Sequence, residues 1–286
     1  MPDNVLENVP DNATFTYYYQ YYPDDVKSVL NSGTSTWVGV VDESTVMKYP
    51  LAKDGETTRL DAEKKLLEII GPHERIIGFK GSTKTGIYLE RATNGTLANY
   101  LLKPPNAPPS TRQRLAWCRE VTEGVAHIHS RSVLPCDLHP HNLLLDEQLH
   151  IKVSDFQGRH LAEDGTILAD GWAGEPTRFF CPREDWFYSD IKTDLFALGC
   201  TIYFIMRGHA VYPDIIDGSE GWRERVYERF EKKQFPQEPH VCDRITLKCL
   251  HMEYESAEEV LQDIKSVEEE YLAENEGEVD ARVLVP

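Results

Sequence analysis

Several scarcities narrow this sequence before any motif does. Cysteine is sparse, with six residues in 286 at Cys118, Cys136, Cys181, Cys200, Cys242 and Cys249, and no CxxC pair among them. That density excludes a disulfide scaffold and points to a reduced, intracellular protein, cytoplasmic or nuclear. The opening Met1-Pro2-Asp3-Asn4 lacks the basic-then-apolar pattern of a secretory leader. Long apolar runs are missing too: the longest, residues 195–206, is too short to span a bilayer. Positive charge is in short supply, 30 Lys and Arg against 48 Asp and Glu, for a formal net charge of -18. Such a surface repels phosphate backbones and anionic lipid, so neither nucleic acid nor membrane is an expected partner. Any site for a polyphosphate must then build its own positive patch.

What is present is ordinary for a globular chain: 41% hydrophobic and 27% charged residues, enough for one large domain or two lobes. Residues 1–26 show no helical period but carry Tyr17-Tyr18-Tyr19-Gln20-Tyr21-Tyr22, read as an edge strand or arm packing its rings on the domain. Residues 38–41 and 45–49 predict a hairpin stopped by Pro50, and 59–70 a helix ending at Gly71-Pro72. Strands are expected around 76–79 and 86–90, and a loop from Asn94-Gly95 through the proline-rich 104–109. After it the chain turns helical. Leu115, Cys118, Val121, Val125 and Ile128 form one stripe, and 195–206 reads as a buried helix opening after Thr193-Asp194, with Asp194 as its cap. Ser256-Ala257-Glu258-Glu259 is a capping box, and the acidic stretch from Val267 is expected to fray.

The chemistry concentrates at 137–155. Residues 143–145 and 149–153 predict a short hairpin, which would set Asn142, entering it, beside Asp155, leaving it. An amide oxygen beside a carboxylate is a hard donor pair suited to magnesium and phosphates. Asp137, on the same loop, could accept a proton from an attacking hydroxyl. His139 and His141 lack a third ligand nearby and read as loop hydrogen-bonders.

These residues resemble the catalytic loop of protein kinases, and Asp155-Phe156-Gln157-Gly158 resembles the DFG motif with one residue substituted or inserted. The resemblance runs over residues 27–265. Thr45-Val46-Met47-Lys48 resembles the strand of the phosphate-binding lysine, Glu63 its helix partner, Asp194 to Gly199 the buried helix anchoring the catalytic loop, and Thr177 to Arg183 the end of an activation segment. The chain is similar to divergent eukaryotic-type protein kinase domains, including small ones found mainly in fungi. The resemblance implies an α+β, bilobal fold: a small strand-rich N-lobe over 27–91 and a larger helical C-lobe over 92–265, flanked by a tyrosine-rich extension over 1–26 and an acidic tail over 266–286. It implies ATP with Mg2+ or Mn2+ as cofactors. Lys48, Asp137 and His139 are the expected catalytic residues, and Lys48, Glu63, Gly33, Val38, Glu90, Ala92, Asn142 and Asp155 the expected nucleotide contacts. Asn142 and Asp155 are the expected metal ligands.

Departures from the family pattern are equally visible. Asn31-Ser32-Gly33-Thr34-Ser35-Thr36 keeps one of three glycines, Pro135-Cys136 replaces His-Arg, His139 replaces a lysine, and Arg183 stands where a glutamate ends the segment, so its ion pair is absent or rebuilt. Without that earlier arginine, activity should not depend on a phosphorylated activation loop. The surviving residues favour a serine/threonine protein kinase with an unidentified protein substrate. A pseudokinase acting as a nucleotide-binding or scaffolding module and a small-molecule phosphotransferase remain open alternatives here.

Overall fold

The computed structural model describes residues 21–33, 35–103 and 108–275. Its first part is a five-stranded antiparallel sheet built from β1 (Ser28–Ser32), β2 (Thr36–Val40), β3 (Thr45–Pro50), β4 (Phe79–Thr83) and β5 (Gly86–Glu90), in the order β1-β2-β3-β5-β4. Every residue of the central strand β3 is buried. Both sheet faces are covered. Val46 and Leu89 join the main core with helix α1 (Thr58–Ile70), while Met47 and Tyr49 pack with Val26 and Tyr21 on the other side. The Tyr21 ring meets Tyr49 edge-on at 6.0 Å, so this tyrosine does pack on the domain; Tyr17 to Gln20 lie outside the described residues.

The expected strand at 76–79 begins only at Phe79. Ile76 instead forms a bridge to Val153, which ties this stretch to the later hairpin, and the Gly78 N–H donates to Glu90 Oε2 of β5 at 3.0 Å. Within the predicted loop, residues 97–102 form a short helix, α2 (Leu97–Leu102), capped by the Thr96 side chain on the Asn99 N–H. Six residues are too few to show a helical period.

Helix α3 (Thr111–Ser130) runs through the second part, followed by β6 (Val133–Leu134) and the hairpin of β7 (Leu143–Leu145) and β8 (Ile151–Val153). Leu149, with φ 63, belongs to the turn rather than to the second strand. Next come β9 (Arg159–Leu161) and β10 (Ile167–Asp170), which join β6 in the order β10-β9-β6, and the helices α4 (Ile191–Arg207), α5 (Trp222–Glu231), α6 (Asp243–Leu250) and α7 (Ala257–Glu274). Two helix boundaries differ from expectation. Asp190, not Asp194, caps α4, in a reciprocal capping box with Thr193. As far as Glu274 the stretch from Val267 does not fray but continues α7, because Val267 and Tyr271 pack on the core and Glu268 pairs with Arg119 at 2.8 Å; residues 276–286 of that expectation lie outside the described residues.

One glycine decides how the strand after Asp155 reaches its place. A methyl built on Gly158 would lie 1.9 Å from the Leu134 carbonyl oxygen and 2.5 Å from that of Pro135. Neither is a flexible side-chain end, so Gly158→Ala should push β9 off β6. The expected loss is about 2–3 kcal/mol, read as a lower urea midpoint; an unchanged midpoint would show that this close approach is not needed.

Candidate functional site

Lys48 lies on β3 opposite Val38 of β2 and Ile87 of β5, with Val46 two residues earlier, so all four side chains share the sheet face turned to α1. Leu60, Glu63 and Leu67 are buried on that helix, and Glu63 is fully enclosed. The Lys48 Nζ donates to Glu63 Oε2 at 2.6 Å and to Asp155 Oδ1 at 2.6 Å. Burial alone would lower the ammonium's pKa, yet Glu63 and then Asp155 outweigh it and hold Lys48 well above the usual lysine range. Burial pushes the Glu63 carboxyl up, and Lys48 pulls it back.

Asp155 is held with φ 63, a left-handed backbone that a non-glycine residue adopts at a cost of about 1–3 kcal/mol. Its Oδ1 takes a second hydrogen bond from Gln157 Nε2 at 2.8 Å. The hairpin does not seat Asp155 directly opposite Asn142, as the sequence suggested. Ser154 takes that position, donating its N–H and hydroxyl to the Asn142 carbonyl, each at 2.9 Å. Asp155 then turns back toward Lys48 through its unusual backbone.

Asn142 faces Asp137. Its Nδ2 donates to the Asp137 carbonyl at 2.9 Å and to Asp137 Oδ2 at 3.1 Å. With the amide nitrogen so committed, Oδ1 is the donor atom left for a cation, and Asp155 likewise keeps Oδ2 clear of Lys48 and Gln157. A hard divalent ion takes such oxygens together with water and phosphate, so the residues present fit magnesium or manganese. Among the described residues no cluster of three His, Cys, Asp or Glu side chains forms a metal cage.

Asp137 Oδ1 is buried and accepts no hydrogen bond among the described residues, although His139 Nε2 stands 3.2 Å away. The His139 Nδ1 accepts the His141 N–H at 3.3 Å, which places the ring proton on Nε2, toward the carboxylate. Burial, and then His139, depress the His141 imidazole pKa.

The loop carrying Asp137 is anchored from below. Asp194, fully buried in the first turn of α4, accepts the Cys136 N–H at 3.1 Å on Oδ1 and faces His129 Nε2 at 3.0 Å on Oδ2. His129 was not singled out in the sequence, where it is one more residue near the end of α3. Cys136 itself has φ 57, and burial raises its thiol well above the usual range, so the residue is an inert spacer here.

The segment from Asp155 to Arg183 is ordered by its own contacts. Arg159 pairs with Asp170 at 3.0 Å, Lys65 of α1 donates to the Leu168 carbonyl at 3.2 Å, and the Ala173 N–H donates to Gln157 O at 3.0 Å. The ion pair in doubt at Arg183 is rebuilt: its Nη2 meets the enclosed Glu175 Oε2 at 2.8 Å. Of these bonds, Lys65 to Leu168 ties the strand pair to α1, and the others lie within the segment itself.

The remaining expected residues lie on the sheet and in the stretch that follows it. Glu90 takes Gly78 N–H on Oε2 and Lys152 Nζ at 3.3 Å on Oε1. Ala92, Val38 and Leu144 are half-buried apolar side chains against the main core. Among the described residues the Ala92 N–H makes no backbone hydrogen bond. Gly33, by contrast, spends its N–H on Thr36 O at 2.8 Å, closing the β1–β2 turn on itself. Leu144 and Val46, which belong with Val38 to the main core cluster, carried no sequence signal beyond their strands.

Comparison with known proteins agrees with this geometry. The family model described as "Protein kinase domain" matches residues 44–270. The chain is similar to CBL-interacting serine/threonine-protein kinase 8 of Arabidopsis thaliana, 26% identical over 190 residues, covering 64% of this chain and 41% of that protein. It is also similar to Cytoplasmic tyrosine-protein kinase BMX of Mus musculus, 33% identical over 155 residues, covering 52% of this chain and 23% of that protein. Serine/threonine-protein kinase RUNKEL of Arabidopsis thaliana is 31% identical over 128 residues, covering 44% and 9% respectively. The matched region thus spans less than half the length of each of these relatives. With a sheet and buried lysine–glutamate pair above a hairpin-borne asparagine and aspartate, and a family match over most of its length, the chain belongs to the protein kinase domain family.

Proposed function

We propose that this chain transfers the γ-phosphate of ATP to serine or threonine hydroxyls of a protein. The observation that carries the reading is the Lys48 ammonium, held at 2.6 Å from both Glu63 and Asp155, residues from three separate elements of the chain. Because two carboxylates counter that ammonium, the net positive charge a polyphosphate needs would come from the metal ion that Asp155 helps to hold. In this reading the lobes divide at residues 91 and 92, with Ala92 N–H and the Glu90 backbone facing an adenine edge, and Val38, Val46 and Leu144 giving its flat faces an apolar cover.

Asn142 Oδ1 and Asp155 Oδ2 would hold magnesium or manganese, which supplies charge neutralisation for the transferring phosphoryl group. Lys48 orients the α- and β-phosphates, and Glu63 keeps that ammonium from collapsing wholly onto Asp155. Asp137 receives the acceptor hydroxyl's proton, while Asn142 Nδ2 fixes its carboxylate. The His139 Nε2–H offers a hydrogen bond near the reacting oxygen, a weaker substitute for an ammonium. Gly33 would approach the phosphates only through its Cα, its N–H being committed to Thr36.

The preference for serine and threonine rests on the compact Asp137-Leu138-His139-Pro140 loop and on the serine/threonine kinases among the relatives. The test is transfer of labelled phosphate from ATP to generic protein acceptors, with magnesium or manganese, beside Asp155→Asn. That variant keeps the side-chain volume and leaves Glu63 paired with Lys48, so it should fold. Its rate should fall by about a hundred-fold or more. Absence of transfer by folded wild-type protein would leave the chain as a nucleotide-binding module.

A further inference from the structure

A cavity of about 850 Å³ opens between the segment that follows Gly158 and helix α5. Its walls are aromatic. Phe180 stacks on Trp186 at 4.9 Å, and Trp186 stacks on Tyr227 at 5.2 Å with ring planes 16° apart. Trp172, Trp186 and Phe187 also line it, exposed to 67%, 60% and 74%. So much aromatic surface left open in one place marks a contact site. Trp172 adds a second sign. Its φ of 62 lies in the left-handed region, which a bulky residue enters only at an energetic cost, and its N–H is pinned by Asp170 Oδ1 at 2.8 Å.

Charge indicates the occupant. Glu224, Glu228 and Glu231 are exposed on α5 at the spacing of one helix face and rim the cavity beside Tyr227. The cations around the cavity are already engaged. Arg183 pairs with Glu175 at 2.8 Å and lies 4.1 Å over the Phe180 ring, Arg159 pairs with Asp170 at 3.0 Å, and Arg223 sits 5.4 Å over Trp222. Among the rim carboxylates, Glu228 has only an exposed partner in Lys232, and such a pair is worth little. An acid-rimmed aromatic surface suits guanidinium and ammonium groups, which stack on indole faces while pairing with carboxylates. A second copy of this chain, itself at -18, would be repelled.

The cavity also adjoins the catalytic loop. Phe180 lines it, and the preceding Phe179 packs its ring 5.7 Å from that of His139. We propose that this groove docks a basic, partly apolar segment of the protein substrate, with Trp172 as the anchor and Glu224, Glu228 and Glu231 as the charge partners. The proposal rests on the kinase reading for the identity of the docked chain as substrate.

Tryptophan fluorescence of the full chain, without ATP, can be titrated with a synthetic peptide rich in arginine and leucine around one serine. A control peptide carries glutamate at each arginine. Trp172→Ala and the double variant Glu224→Gln/Glu231→Gln change exposed side chains and should melt as the wild type does. Each should weaken binding of the arginine peptide by about ten-fold, the wild-type affinity should fall with salt, and the glutamate peptide should not bind. Equal binding of both peptides, or variants that bind like the wild type, would overturn the proposal. So would a wild-type dimer in sedimentation that Trp172→Ala dissolves, since the groove would then belong to a second copy. Because binding is read without turnover, peptide binding with no phosphate transfer removes the kinase reading and leaves the docking groove. Transfer that is indifferent to Trp172 removes the groove alone.

Discussion

Asp137→Asn should cut phosphate transfer by on the order of 10³ to 10⁴ fold while leaving the fold intact. The substitution keeps the side-chain shape, and Asn142 Nδ2 can still donate to the oxygen it now meets at 3.1 Å. What disappears is the only carboxylate on this loop able to take the acceptor's proton. His139 cannot replace it, because its Nδ1 accepts the His141 N–H and its Nε2 already carries the proton. Lys48, Glu63, Asn142 and Asp155 would be untouched, so nucleotide and metal should bind as before. Single-turnover transfer at saturating ATP, beside a nucleotide-binding measurement, separates these effects. A variant that transfers phosphate at the wild-type rate would show that Asp137 only positions the loop, and the base would have to be sought elsewhere.

How much of this site was legible in the sequence depended on the distance over which each residue acts. The hairpin between Asn142 and Asp155 is a local event, written in two short strands and a polar turn; β7 forms where expected, and β8 begins two residues later than expected. The pairing of Lys48 with Glu63 spans fifteen residues and was expected only through the family resemblance, with Leu60, Glu63 and Leu67 on one helix face. The Lys48–Asp155 contact crosses 107 residues and was not anticipated, since the resemblance assigned Asp155 to the metal and only Glu63 to the lysine. Three other features escaped for physical reasons. The backbone turn at Asp155 depends on φ 63, which no side-chain pattern encodes. The start of α4 was misplaced because Asp190 and Asp194 are both plausible caps by type; tertiary burial sends Asp194 to Cys136 and His129 and leaves Asp190 to cap. The self-supporting segment after Gly158 rests on pairs such as Arg159–Asp170 and Arg183–Glu175, which are side-chain contacts between strand, loop and turn without periodicity. The last of these also bears on regulation. The family arginine that would meet a phosphorylated loop is Cys136 here, and the loop has charge partners of its own.

The largest loss of stability should come from Asp194→Ala. Asp194 is fully buried, and its two oxygens serve two donors from different elements, the Cys136 N–H at 3.1 Å and His129 Nε2 at 3.0 Å. Truncation leaves both donors buried, and His129 Nδ1 already has no hydrogen-bond partner among the described residues. It also releases Cys136 from the anchor that holds its left-handed backbone, one residue before Asp137. Removing one side of such a buried charged network costs about 3–5 kcal/mol, which corresponds to a melting temperature lower by roughly 10 °C. Asp194→Asn should lose less, about 1–2 kcal/mol, because its carbonyl oxygen can keep one donor and a change of His129 tautomer can meet its amide nitrogen. Thermal melts of the wild type and both variants give the comparison. If Asp194→Ala melted within a degree or two of the wild type, the catalytic loop would be held by something other than α4. If the graded order of wild type, Asn and Ala holds, phosphate transfer should fall in the same order, since the hydrogen bond that fixes Cys136 also fixes where Asp137 begins.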